Sequence, residues 1–513
     1  MDASAGTDAK PGKSRAAQAV LGALFGLPAY FLFLLMSLAL GASLRLSGLV
    51  SLVLYVLVPI LLALFFIRRV LGRGEAGEPG RRLGALGLLA LAAGVLLYAL
   101  HAHWQARAEA AKRGIAGRGF PVSLAEFREE LPDSRYACAP LSAVEKDFDP
   151  VFYTKITHAD GGGARWTSET AKIEAVYAAR FTPYLEKRLA PVLKQKYTRY
   201  MKVDYVQAAA APLRMHELRL WNITTIAKAA KLCAVSRAAE GDTGEAWELA
   251  RLPFSISAIL LNERTLFSKM AALAIRAQGV DAAEGILLNR PGAAIPKDVL
   301  DRLKEASEGN LAGEGFRSEL AYQYDVYNFM NRADFRLFSG LGSLSGMLMS
   351  SPGTAGLRVE YAVFSILRGI GIFDLNSIAT GAYFTGVDET GPWEEIYQQS
   401  IKAEASAAAL PAWPYFLVKD TLPSFFRLKA REFDVQARAR LTLALAELRA
   451  WRQAHGKYPA KLSELKPEAG PDVFSGKEFI YTPMAGGFDL CSAGASGDKK
   501  DTSGKDLCIR QRP

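Results

Sequence analysis

Cys491 and Cys508 are the residues whose type and spacing most directly specify a chemical event. They lie seventeen residues apart in a short polar stretch, placed to oxidise to a disulfide that closes a loop with little core of its own. The chain has four cysteines, which allow three pairings. Cys491 with Cys508 is the favoured one, leaving Cys138 and Cys233 as a second pair. No CxxC or Cys/His cluster points to zinc. The five histidines, His101, His103, His158, His216 and His455, are scattered, and the chain contains no HExxH, GxSxG or Walker motif. His216 falls in a helical pattern as a packed or surface residue, and His455 sits at a helix end, where the dipole accounts for it. Glu394 and Glu395 are adjacent, but helix neighbours point apart, whereas glycosidic chemistry needs two carboxylates facing one substrate. The glycine run in HADGGGARW reads as a flexible turn, because no strand, loop and helix with Lys-Ser/Thr follows it.

The elements that must position these residues fall into two kinds of sequence. Three apolar runs, 16–42, 48–67 and 83–101, each have the length a helix needs to cross a hydrocarbon core of about 30 Å. Arg68, Arg69, Arg73, Arg81 and Arg82 lie between the second and third runs, and Lys10, Lys13 and Arg15 precede the first. Only Arg45 separates the first from the second, so the positive-inside rule puts the amino terminus in the cytoplasm and residues after about 104 on the far side. A lipid bilayer is thus an expected partner. The runs carry essentially no internal charge, which reads as an anchor rather than an ion pathway.

The net charge of +10 comes largely from the arginine-rich loop. Further basic residues, Lys187, Arg188, Lys194, Lys196, Arg199 and Lys202, read as a solvated face. No nucleic-acid motif accompanies them, and nucleic acid is not an expected partner.

After the apolar runs the pattern is that of globular sequence. Ser123 with Glu126 forms a capping box for a short helix. From Ala208 to about Gly309 apolar residues recur at helical spacing. Gly241 stops one helix, Asp242 or Thr243 caps the next, and Pro296 announces a fourth, giving stacked helical hairpins. A long helix from Phe433 breaks near Gly456, and EFIYTP and GGFDLC alternate as two strands of a hairpin.

The order ALAELRAWRQAHGKYPAKLSEL, Pro471-Asp472, FSGKEFIYT and GFDLCSAG resembles the soluble part of type II secretion major pseudopilins. The likeness covers about eighty residues, and the chain departs from that family in carrying three apolar runs and some three hundred residues ahead of the unit. Over about 208–500 it also resembles a group of bacterial membrane-anchored helical proteins of unassigned activity. The pseudopilin resemblance implies a spine helix, a small antiparallel sheet and a calcium-holding loop. Asp498, Asp501, Ser503 and Asp506 are the hard oxygen ligands at the matching place. Lys499, Lys500 and Lys505 interleave with them and weaken the potential for a cation, so a disulfide-closed, metal-free loop is the simpler reading.

The expected fold is therefore mainly α. It comprises a three-helix membrane anchor (1–104), a mixed extracytoplasmic region (105–207), a helical-hairpin domain (208–430) and a pseudopilin-like lobe of helix plus antiparallel hairpin (431–513). The expected place is a bacterial inner membrane with a periplasmic body. The expected role is that of a non-enzymatic structural or interaction protein, partnering envelope or secretion proteins or a second copy of itself. The alternative is an envelope hydrolase with a site assembled from dispersed residues.

Overall fold

A computed structural model describes residues 101–129, 131–146, 178–210, 221–332, 370–387, 390–411, 414–422, 425–465, 469–494 and 507–511, together with 176, 212, 367 and 368. These residues are mainly helical and include one small antiparallel sheet. In chain order the helices used below are α1 (101–116), α2 (Cys138–Lys146), α3 (Tyr205–Ala210), α4 (Trp221–Glu240), α5 (Thr243–Leu261), α6 (Leu266–Asn289), α7 (Lys297–Ala306), α8 (Leu311–Arg332), α9 (Ile372–Phe384), α10 (Trp393–Ala408), α11 (Phe416–Thr421) and α12 (Phe425–His455). Strands β1 (Ile480–Met484), β2 (Gly487–Cys491) and β3 (Cys508–Gln511) follow.

The expectation of three transmembrane helices requires correction. Among the described residues no helix is long and apolar enough to cross a membrane. The longest ones carry charges on several turns, as α6 does with Lys269, Arg276, Asp281 and Glu284. The runs 16–42, 48–67 and 83–101 lie outside the described residues except for His101, the first described residue of α1. The terminal lobe also differs from the expected hairpin, because β3 adds a third strand in the order β1-β2-β3.

Contacts sort the chain into two units, neither contiguous in sequence: residues up to 117 with 327–381 and 407–422, and residues 118–326 with 382–406 and 423–513. In the first unit Asn376 is fully buried and ties three backbone positions. Its amide donates to Ile372 O (2.8 Å) and Pro414 O (2.9 Å), and its carbonyl accepts from Val418 N (3.1 Å). Gly371, at φ +75°, lets the chain pass Trp104, whose Cβ would lie 2.9 Å from any Cβ placed there.

In the second unit α4, α5 and α6 pack on one another, each against both others. Gly241, at φ +106°, ends α4, and Asp242 Oδ1 accepts from Glu245 N (2.9 Å) to cap α5. Pro296 precedes α7, as the sequence pattern predicts. Close approach of the three helices depends on two glycines of α6. A Cβ on Gly279 would meet the Phe254 ring of α5 at 2.9 Å, and one on Gly285 would meet Val235 Cγ2 of α4 at 2.6 Å. Filling such a contact forces helices apart. Gly285→Val is expected to lower stability by about 1–3 kcal/mol even though valine is apolar, read as a fall in the urea midpoint with an unchanged slope.

Candidate functional site

The terminal lobe begins where α12 stops at Gly456, which takes the left-handed conformation at φ +72°. In the β1–β2 hairpin Met484 faces Gly487, with Ala485 and Gly486 between them and Gly486 at φ +79°. Phe488 and Leu490 of β2 and Ile509 of β3 point into the core, and their period of two gives the sheet its apolar face. In the β2–β3 ladder Cys491 faces Cys508, and the two are joined by a disulfide.

One buried carboxylate organises the loops around this sheet. Asp472 is only 1% exposed. Its Oδ1 accepts from Ser492 Oγ (2.6 Å) and Phe474 N (3.4 Å), and its Oδ2 accepts from Ser475 Oγ (2.8 Å) and Ala493 N (3.0 Å). Its own N–H donates to Lys477 O (2.8 Å), and its carbonyl accepts from Gly476 N (2.8 Å). The 472–477 turn is thereby bound to the residues immediately after Cys491.

Helix α12 carries the lobe and grips the helices before it. Lys429 Nζ donates to Glu432 Oε2 (2.6 Å) and to Asn310 Oδ1 (2.7 Å), with both charged side chains almost wholly buried. Glu432 Oε1 accepts from Leu311 N and Ala312 N, the unsatisfied amides at the start of α8. Gln436 donates to Gly309 O (3.0 Å), and Arg440 reaches both Ser307 O (3.2 Å) and Pro471 O (2.5 Å). Residues 429, 432, 436 and 440 thus form one polar stripe at helical spacing. Beside it Phe474 of the lobe packs against Trp393 of α10 and Phe433 of α12, with ring centroids 5.2 and 5.7 Å away.

Other buried carboxylates work in the same way. Asp325 Oδ2 accepts from Leu124 N (2.7 Å) and Ser123 Oγ (3.1 Å), and Glu263 Oε1 accepts from Tyr200 N (2.7 Å) and Met201 N (3.0 Å). Burial raises the Glu263 pKa, and those two amides oppose the rise. These acids fasten backbone.

The residues singled out in the sequence are dispersed. Asp498, Asp501, Ser503 and Asp506 lie outside the described residues, as do His158 and His216. Among the described residues no group of three His, Cys, Asp or Glu side chains is arranged to hold a metal. Cys138 and Cys233 do not pair, because they occupy separate settings. Cys138 opens α2 at 3.8 Å from Ser142 Oγ, while Cys233 is buried in α4 with its thiol toward Ala178 O (3.7 Å). Burial pushes the Cys233 thiol up to about 12, which makes it inert. His455 stacks on Trp451, and Glu394 and Glu395 are exposed in the first turn of α10. His101 Nδ1 lies 3.8 Å from Asp374 Oδ2, and Asn331 Nδ2 donates to Asp374 Oδ1 (2.9 Å). Burial raises the Asp374 pKa against the influence of His101.

Two glutamates on the helical body are pushed up to about 7. For Glu284 burial is the main cause, with Asp281 adding and Arg438 opposing; for Glu245 burial is again first, followed by a hydrogen bond with the Glu186 carboxyl. In the unfolded chain both sit near the ordinary carboxylate value of 4.5. Between those limits the folded chain binds more protons than the unfolded one, so stability falls as pH rises through the window. Thermal melting is expected at a higher temperature at about pH 5.5 than at about pH 8, and substituting both glutamates by glutamine is expected to flatten the difference.

Sequence reasoning missed Glu263, Asp374, Lys429, Glu432 and the buried position of Arg449. The signal available for two of them was the spacing of Lys429, Glu432 and Gln436, which continues the helical face of Phe433 toward the amino terminus. Compared with protein families, curated proteins and solved structures, the chain matches none of them.

Proposed function

We propose that this chain is a non-enzymatic structural protein acting outside the cytoplasm, in which the helical body is a mount and the terminal lobe docks with or scaffolds an envelope or secretion assembly. The observation that carries this reading is the use of the buried carboxylates Asp325, Glu263, Glu432 and Asp472 to hold backbone amides. A general acid or base needs an oxygen turned toward a substrate, and a group committed to amides of its own chain rigidifies instead. The Cys491–Cys508 bridge supports an oxidising compartment, where such bonds persist. The resemblance to pseudopilins supports the kind of assembly. Residues 475–478 and 482–483 are exposed on the lobe and are candidates for the contact.

A photo-crosslinking residue at Lys477 or Thr482 of the full chain tests this in the source cells. Adducts with pilus-like or secretion subunits at these sites are the expected outcome. Absence of such adducts, or adducts only with bulk protein, overturns the reading.

The second reading, an envelope hydrolase built from dispersed residues, has the His101–Asp374 proximity in its favour, since a buried acid beside an imidazole is a recurring catalytic pair. Hydrolytic turnover by the purified chain that Asp374→Asn abolishes would establish it in place of the first.

A further inference from the structure

Arg449 of α12 is only 6% exposed, yet its guanidinium makes one hydrogen bond, from Nη2 to the neutral amide oxygen of Gln511 in β3 (2.9 Å). Among the described residues Nε and Nη1 are buried without an acceptor, leaving their three N–H bonds unused. Among the described residues the titratable groups that act on it are Tyr458 and Arg452. Elsewhere in the second unit Arg199, Lys269 and Lys429 are buried with carboxylate partners, Glu129, Glu314 and Glu432, and the buried Arg276 reaches the carbonyl of Glu305 (3.4 Å). A desolvated, unpaired guanidinium is among the most unfavourable arrangements a fold can hold. A water molecule would satisfy its donors but leave the charge uncompensated.

The surroundings raise the positive potential further. Arg452, one turn along α12, is exposed and lies over the Tyr458 ring at 4.9 Å, donating to the Tyr458 hydroxyl (3.2 Å). Tyr458 and Gln511 are half-buried, so the Arg449 guanidinium lies just beneath a surface formed by an arginine, a phenol and an amide. Donors fixed in place, low dielectric and a second cation at the rim are the conditions under which an oxyanion binds through charge-assisted hydrogen bonds.

We propose that the α12–β3 edge of the lobe is a binding site for a compact oxyanion, a phosphate or carboxylate group, which accepts from Nε and Nη1 of Arg449 with Arg452 closing over it. This site is independent of which assembly the lobe docks with, and its existence does not depend on that reading.

The test uses the full chain, with thermal melts and calorimetric titrations in inorganic phosphate and in acetate, against chloride at equal ionic strength. The expected result is a saturable rise in melting temperature with at least one of the two anions, and binding at least about tenfold weaker in Arg449→Met. Response to one anion alone identifies the group. In chloride, Arg449→Met is expected to melt no lower than the unmodified chain, because an apolar side chain replaces an unpaired buried charge. Equal responses of variant and unmodified chain, a rise that does not saturate, or an Arg449→Met chain that unfolds or melts well below the original in chloride would each overturn the proposal.

Discussion

Replacing Glu432 by alanine is expected to cost about 3–5 kcal/mol, more than most single substitutions, because it strands a buried lysine and uncaps a helix at once. Among the described residues Lys429 would keep Asn310 Oδ1 and the face of the Phe433 ring (5.4 Å), with no counter-charge, while remaining almost wholly buried. Leu311 N and Ala312 N, at the start of α8, would lose their acceptor. The double substitution Lys429→Met with Glu432→Leu removes the charge problem and leaves only the capping defect, so it is expected to be more stable than Glu432→Ala alone. Urea denaturation of the three chains measures both quantities. A Glu432→Ala chain within about 1 kcal/mol of the original would show that the pair is solvated rather than buried.

The same stripe explains what could and could not be read from the residues. Local signals were legible where one short motif determines the backbone. Gly241 and Asp242 stop and cap helices as their types predict, Ser123 and Glu126 close their box, and EFIYTP and GGFDLC pair as antiparallel strands. Cys491 and Cys508 were legible from their seventeen-residue spacing in a polar stretch with little core of its own, and they face each other across the β2–β3 ladder. The sequence pattern starts α12 at Phe433, eight residues late, because Lys429 and Glu432 have the character of solvent-facing residues and are buried. Arg449 was unreadable for a related cause: arginine is mostly exposed, so periodicity assigns it to the surface.

Strand β3 was missed for a different reason. Cys-Ile-Arg-Gln is short and half polar, and it becomes a strand only because Phe488, Asp489, Leu490 and Cys491 are already in place to pair with it. Tertiary context also made Asp472 a node. In the sequence it is one residue of a turn, and its partners Ser492 and Ala493 come twenty and twenty-one positions later. No window short enough for pattern reading contains both.

Asp472→Ala is accordingly expected to loosen the lobe by about 3 kcal/mol or more, since charge-assisted bonds from two hydroxyls and two amides disappear together. Asp472→Asn separates charge from geometry. The amide can still offer an acceptor to Ser492 Oγ and Phe474 N at the Oδ1 position, but at the other it presents N–H to Ala493 N, which has only a hydrogen to give. Asparagine is therefore expected to recover at most about half of the loss. Because Ser492 follows Cys491 directly, the same substitutions should expose the disulfide, and its reduction by a dithiol is expected to quicken in the order original, Asn, Ala. Amide exchange at Ala493 and Gly494 should follow that order. If global stability falls while the reduction and exchange rates stay unchanged, Asp472 acts on the helical body rather than on the lobe. If the rates change while α5 and α6 keep their protection, the lobe opens as a separate cooperative unit, and the carboxylate is what ties its loops to the sheet.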